Sequence, residues 1–168
     1  MTTELIQRHS AHDVEEPRLD YNEVLPEATR AMSALETVVH HSTLEPRLQE
    51  LVKLRASQLN GCAFCVDMHT KDAVAIGEDQ QRLNLVAVWR DAPGFSSRER
   101  AALAWTEALT KLPQTGAPAD DYDWMASEFD AAEQVALTLA IIAINGWNRL
   151  SVGFRRPAGT YVSRRQPA

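Results

Sequence analysis

The sequence predicts an all-α fold. Apolar residues recur at three- and four-residue steps in one segment after another, no segment alternates apolar and polar residues in the manner of a strand, and Pro, Gly and Ser/Asp signals stand where helices would begin and end. There is no internal repeat.

Residues 1–17 are polar and acidic without helical or strand periodicity, which predicts a flexible N-terminal arm. From Pro26, the positions Ala28, Met32, Leu35 and Val39 share one face of a first helix that ends near His41. Pro46 suits the first turn of a second helix carrying Leu48, Leu51, Val52, Arg55 and Leu59, and Asn60-Gly61 supplies a left-handed turn after it. Cys62 therefore opens a third helix, which runs to about Ile76 and is closed by Gly77. A fourth helix carries Leu83, Val86, Ala87 and Arg90 and stops before Pro93-Gly94.

Ser96-Ser97-Arg98-Glu99 is a capping box for a fifth helix with Ala101, Trp105, Ala108, Leu109 and Leu112 at helical spacing. Pro113 to Pro118 reads as a loop, followed by a short helix around Tyr122 to Phe129. Asp130-Ala131-Ala132-Glu133 resembles another cap and leads into Val135 to Ile144, apolar nearly all round and so expected in the core. Residues 18–156 form the folded domain in this scheme, and residues 157–168 a loose basic tail.

Composition narrows the function. The chain has 168 residues, enough to bury a core without staples or a structural metal, and its two cysteines are too few for a disulfide scaffold. A formal net charge of −6 argues against nucleic acid as a partner, because phosphate binding needs clustered Lys and Arg. The N-terminus lacks the basic and apolar regions of a secretory signal, and no apolar run reaches the length of a membrane span, so the expectation is a cytoplasmic protein with neither a membrane nor a nucleic-acid partner. In a reducing compartment, paired cysteines are redox-active or metal-binding more often than permanently bridged.

Chemistry concentrates at Cys62-Ala63-Phe64-Cys65-Val66-Asp67-Met68-His69. Two thiols stand three residues apart with an imidazole four beyond the second, so all three neighbour one another on one helix face. At a helix N-terminus the positive end of the macrodipole favours thiolate over thiol. Glu50, on the preceding helix, folds back across the Asn60-Gly61 turn and can complete a relay of carboxylate, imidazole and thiol.

The pattern Glu50-x11-Cys62-x2-Cys65-x3-His69 resembles the AhpD-like alkylhydroperoxidases of the carboxymuconolactone decarboxylase superfamily. The likeness extends through Leu51 to Gly61, Thr70-Lys71-Asp72-Ala73, Gly77-Glu78, Gln81-Arg82-Leu83, Glu99 to Trp105 and Ile144-Asn145-Gly146-Trp147-Asn148-Arg149, and covers residues 18–156. It implies an AhpD-like all-helical domain with the CxxC at the N-terminus of a central helix, and a thiol-dependent peroxidase acting on hydrogen peroxide or small organic hydroperoxides in antioxidant defence. By that resemblance Cys65 attacks the peroxide, Cys62 resolves the sulfenic acid to a disulfide, and His69 and Glu50 move the proton. It also implies no bound cofactor, an external dithiol reductant of lipoyl or thioredoxin-like type, and a homo-oligomer built from dimers, with a hexamer as one form. The best-known members carry a histidine just before the second cysteine, where this chain has Phe64, which cannot pass a proton.

Other readings of the same residues exist. The cysteines could be buried small hydrophobes, and Cys62, Cys65 and His69 could ligate zinc or copper with Glu50 or a water, although structural zinc sites usually bring four Cys/His ligands. A lactone decarboxylase belongs to the same superfamily, but those relatives generally lack the CxxC. A non-catalytic redox sensor would keep the cysteines without needing Glu50. Asn145, Trp147, Asn148 and Arg149 fit helix packing or a subunit contact as well as a substrate role, and Trp89, Trp105 and Trp124 read as core or interface aromatics.

Overall fold

The computed structural model describes residues 16–165, and the expected N-terminal arm lies outside them except for Glu16 and Pro17. The described residues form helices joined by turns, without strands. In order they are α1 (Tyr21–Val24), α2 (Pro26–His40), α3 (Pro46–Leu59), α4 (Ala63–Ala75), α5 (Gln80–Leu85), α6 (Ser97–Thr110), α7 (Leu112–Thr115), α8 (Ala119–Glu128) and α9 (Ala131–Gly153).

α3 is the hub, packed against α4, α6 and α9 at once. A helix enclosed on so many sides must bury polar residues with its apolar ones, and α3 buries Gln49, Glu50, Lys53 and Ser57 alongside Leu48, Leu51, Val52, Leu54 and Ala56. Each buried polar group finds a partner, as the cost of an unmade hydrogen bond requires. The Gln49 amide donates to the Leu44 carbonyl at 2.9 Å, the Ser57 hydroxyl to the Lys53 carbonyl at 2.7 Å, and the Lys53 ammonium meets Glu36 at 2.5 Å. On the α6 side, Arg55 and the Trp89 indole N–H both donate to Glu107, at 2.7 and 2.9 Å. Burial would raise the Glu107 carboxyl, but hydrogen bonds from Arg90, Trp89 and Arg55 outweigh it and hold it below the ordinary carboxylate range.

Local signals explain the boundaries. Ser96/Glu99 and Asp130/Glu133 form complete capping boxes for α6 and α9. Gly61 and Gly77 take φ of +65° and +87° after α3 and α4, conformations open to glycine at little cost. Three elements depart from expectation. The helix anticipated through Leu83 to Arg90 divides into α5 and a 3-10 turn at Val86–Val88. Arg100 holds the segment that follows, its guanidinium donating to the carbonyls of Trp89 at 2.9 Å, Ala92 at 2.6 Å and, through Nε, Phe95 at 3.1 Å. α7 takes up the start of the expected Pro113–Pro118 loop, beginning one residue before it, and α9 continues past Ile144 to Gly153. By length and composition α9 could cross a bilayer, yet Leu137, Ile141 and Ile144 are buried among the other helices, as core residues are.

Asn60, at the end of α3, donates through Nδ2 to Oδ1 of both Asn145 and Asn148 at 2.9 Å, and Asn148 donates to the Ser57 hydroxyl at 3.0 Å. The two asparagines thus clamp α9 to the turn that precedes the cysteines.

Candidate active site

Cys62 is the N-cap of α4, and its Sγ accepts from the Cys65 backbone N–H at 3.3 Å. Cys65 therefore sits in the first turn, where unpaired N–H groups and the helix dipole favour negative charge. The two sulfurs are joined as a disulfide, with Cα atoms 5.3 Å apart. Both residues are buried, packed with Phe64, Ala56 and Ile144.

One turn beyond Cys65, His69 directs Nδ1 to Glu50 Oε2 at 2.8 Å. The tight α3–α4 hairpin makes this meeting possible: the Gly61 turn reverses the chain, bringing a mid-α3 carboxylate beside a mid-α4 imidazole. Glu50 is only 2% exposed. Burial alone would raise its carboxyl, but the charge and hydrogen bond of His69, with Lys53 and Arg165, more than offset that and hold it below its ordinary value. An ionised carboxylate can only accept, so His69 Nδ1–H is the donor and Nε2 is left as the site that exchanges a proton. Nε2 is buried and has no hydrogen-bond partner among the described residues.

A cavity of about 320 Å³ opens onto this group, lined by Cys65 and His69 together with Phe64, Met68, Trp147 and Tyr161. Cys62 is not part of its wall. The structure thus brings Glu50, Cys62, Cys65 and His69 together, and of the two cysteines it is Cys65 that lines the cavity.

Residues 157–165 do not trail away from the domain. Tyr161 donates to both Asp72 oxygens at 2.9 and 3.1 Å, Ser163 donates to the same carboxylate at 2.5 Å, and Lys71 donates to the Tyr161 carbonyl at 2.9 Å. Arg165 reaches Glu50 Oε1 at 3.3 Å and His40 Nδ1 at 3.1 Å. Burial, then the Asp72 hydrogen bond and charge, push the Tyr161 hydroxyl up to about 12, so it remains a donor at neutral pH. Asp72, Tyr161 and Arg165 escaped the sequence reading. Asp72 offered a signal, three residues after His69 on the same helix, whereas nothing local marks the tail residues as neighbours of Glu50.

Metal-ligand atoms of Glu50, His69 and Asp72 lie within 4.8 Å of one another. This set differs from the cysteine-based one considered from spacing. The Glu50 oxygens accept from His69 and Arg165, and the Asp72 oxygens accept from Tyr161 and Ser163, so both carboxylates are already engaged in hydrogen bonds.

A buried CxxC pair at a helix N-terminus, backed by a histidine–carboxylate pair in an all-helical frame, defines an AhpD-like thiol/disulfide domain. The chain belongs to the carboxymuconolactone decarboxylase family, whose model matches residues 26–108. It is 37% identical over 143 residues to the uncharacterised protein YdfG of Bacillus subtilis (strain 168), covering 85% of this chain and 97% of YdfG. An Agrobacterium tumefaciens structure of a protein of unknown function, provisionally described as the antioxidant defence protein AhpD, superposes with a TM-score of 0.84 at 46% identity, covering 87% of this chain and all of that one. An uncharacterised peroxidase-related protein with an AhpD core from Ralstonia eutropha JMP134 shares the fold, with a TM-score of 0.73 at 17% identity over 83% of this chain and 74% of that one. The family and fold support a peroxidase-related or decarboxylase-like role.

Proposed function

We propose that the protein is a thiol-dependent peroxidase that reduces hydrogen peroxide or small organic hydroperoxides through Cys65 and Cys62. One observation carries this reading: the cavity wall includes Cys65 and His69 but not Cys62, the arrangement a substrate-attacking thiol with a resolving thiol behind it requires.

In the reduced state His69 Nε2 takes the Cys65 proton while Glu50 holds Nδ1 and stabilises the imidazolium. The thiolate attacks the outer peroxide oxygen, the O–O bond breaks, and the alkoxide leaves, taking a proton to become an alcohol. Cys65 is now a sulfenic acid. Cys62 sulfur displaces its hydroxyl, the disulfide forms, and water leaves with the Cys62 proton. An external dithiol, lipoyl or thioredoxin-like, then reduces the bridge by exchange and leaves as its own disulfide. Phe64 takes no part in proton transfer, so Glu50 acts through His69 directly, consistent with their 2.8 Å contact.

The test is mass spectrometry of reduced protein given one equivalent of cumene hydroperoxide. Formation of the Cys62–Cys65 disulfide with one equivalent of alcohol sustains the proposal, and protein that stays reduced overturns it.

A further inference from the structure

We propose that Arg156, held against Phe64 at the entrance to the Cys65 cavity, is a carboxylate-recognition residue, so that the favoured hydroperoxides carry a carboxylate on a small apolar or aromatic body. This rests on the thiol-peroxidase reading of the same site and specifies its substrate class.

Three cations line the cavity: Lys53, Arg156 and Arg165. Two are already matched. Lys53 pairs with Glu36 at 2.5 Å and Arg165 with Glu50 at 3.3 Å. Asp72, also in the wall, has both oxygens covered by hydroxyl donors. Arg156 is different. Among the described residues its partners are the Tyr21 hydroxyl, to which Nη1 donates at 2.8 Å, and the ring faces of Phe64 and Tyr21, with its guanidinium carbon 4.0 and 5.8 Å from their centroids. Asp20 feels its charge at longer range while bonded to Asn22. A guanidinium has five N–H donors, so most remain for a ligand, and its fork matches a carboxylate in two parallel bonds.

Placement supports the assignment. Arg156, Phe64, Tyr21 and Tyr161 line both this cavity and an adjoining one of about 950 Å³, so Arg156 stands at their junction. Phe64, only 8% exposed, immediately precedes Cys65 and is fixed edge-on against Tyr161 at 6.4 Å. A cation stacked on that ring is therefore held at a set distance from the attacking sulfur. This gives the departure at Phe64 a purpose, in that the ring replaces a proton carrier with a platform for a cation. The volume of the Cys65 cavity suits a compact body, and Met68 and Trp147 supply its apolar wall.

The experiment compares cumene hydroperoxide with its para-carboxylated analogue, and in parallel iodoacetamide with iodoacetate as alkylators of the reduced thiols, in wild type, Arg156→Gln and Arg156→Lys. The hydroperoxide pair adds a carboxylate across the ring from the peroxide, the alkylating pair places its charge beside the reacting carbon, and the alkylation pair needs no peroxide chemistry. The charged-to-neutral rate ratio is expected to fall about tenfold in Arg156→Gln for both pairs, the size of one charge-assisted bond, with part of it retained in Arg156→Lys. Disulfide formation with both hydroperoxides at ratios unaffected by Arg156→Gln overturns the recognition site and leaves the peroxidase reading standing. A falling alkylation ratio in protein that neither hydroperoxide oxidises sustains the anion site and removes the peroxidase reading.

Discussion

Replacing Glu50 by Gln isolates the carboxylate's charge while nearly preserving its shape. Cutting one member out of a buried ion pair can cost about 3–5 kcal/mol when the survivor is left charged and enclosed. Both survivors here have relief. His69 can stay neutral and donate Nδ1–H to the new amide oxygen, and the Arg165 side chain, 31% exposed, can turn to water. The expected loss is therefore about 1–2 kcal/mol, near that of one imperfectly replaced charged hydrogen bond. At about 2–4 °C per kcal/mol for a domain of this size, the melting temperature should fall by about 2–8 °C, leaving a cooperative fold. The chemical step should suffer more, because an amide cannot stabilise the imidazolium and can turn its NH2 towards Nδ1, which selects the wrong tautomer. A loss of about 100-fold in the rate of disulfide formation is expected, within the usual range for acid–base assistance. Calorimetry reads the first quantity and stopped-flow quenching with alkylation and mass spectrometry the second. A folded Glu50→Gln protein that oxidises at the wild-type rate would refute the relay.

Titration checks the same pair. The Glu50 carboxyl lies below its ordinary 4.5 in the folded chain, so its stabilising contribution is complete above that value and lost as pH falls through the lower folded value; the wild-type minus Glu50→Gln stability difference should stay level from pH 7 to about 5 and shrink only under more acid conditions. Cys65→Ser should abolish peroxide consumption, whereas Cys62→Ser should accumulate a sulfenic acid on Cys65 that dimedone traps; trapping on the other sulfur in the reciprocal variant would reverse the roles. Asp72→Asn weakens the anchor for Tyr161 and Ser163, so amide exchange across residues 158–165 should accelerate while α3 and α6 stay protected, and equal protection would show the tail held by other contacts. A methyl added at Gly146 would stand 2.7 Å from Met32 Cε, the free end of a flexible side chain, so Gly146→Ala should change stability by less than about 1 kcal/mol as helix propensity offsets the displacement; a larger loss by chemical denaturation would mean Met32 cannot move.

Helices, caps and the cluster of Cys62, Cys65 and His69 were legible in the sequence because they rest on short-range rules. A capping box needs residues three apart, a glycine turn needs one position with positive φ, and neighbours on a helix face recur every three or four residues. Glu50 was within reach because a tight hairpin maps positions on α3 to positions on α4, but a helical glutamate is usually a solvated residue, and it was the family resemblance that singled it out. Where the local rules compete with tertiary partners they failed, as at the end of the Leu83 to Arg90 segment, where Arg100 from α6 binds the carbonyls of Trp89 and Ala92.

Everything that crosses the fold was decided by packing. The sequence alone determined that two cysteines stand at the start of a helix with an imidazole one turn on. Only the tertiary structure decided which cysteine lines a cavity, that residues 157–165 return over it to place Tyr161 and Arg165 beside Asp72 and Glu50, and that Phe64 meets the guanidinium of Arg156. Those contacts join residues some 90 positions or more apart, brought together by the burial of helix faces rather than by any periodicity along the chain.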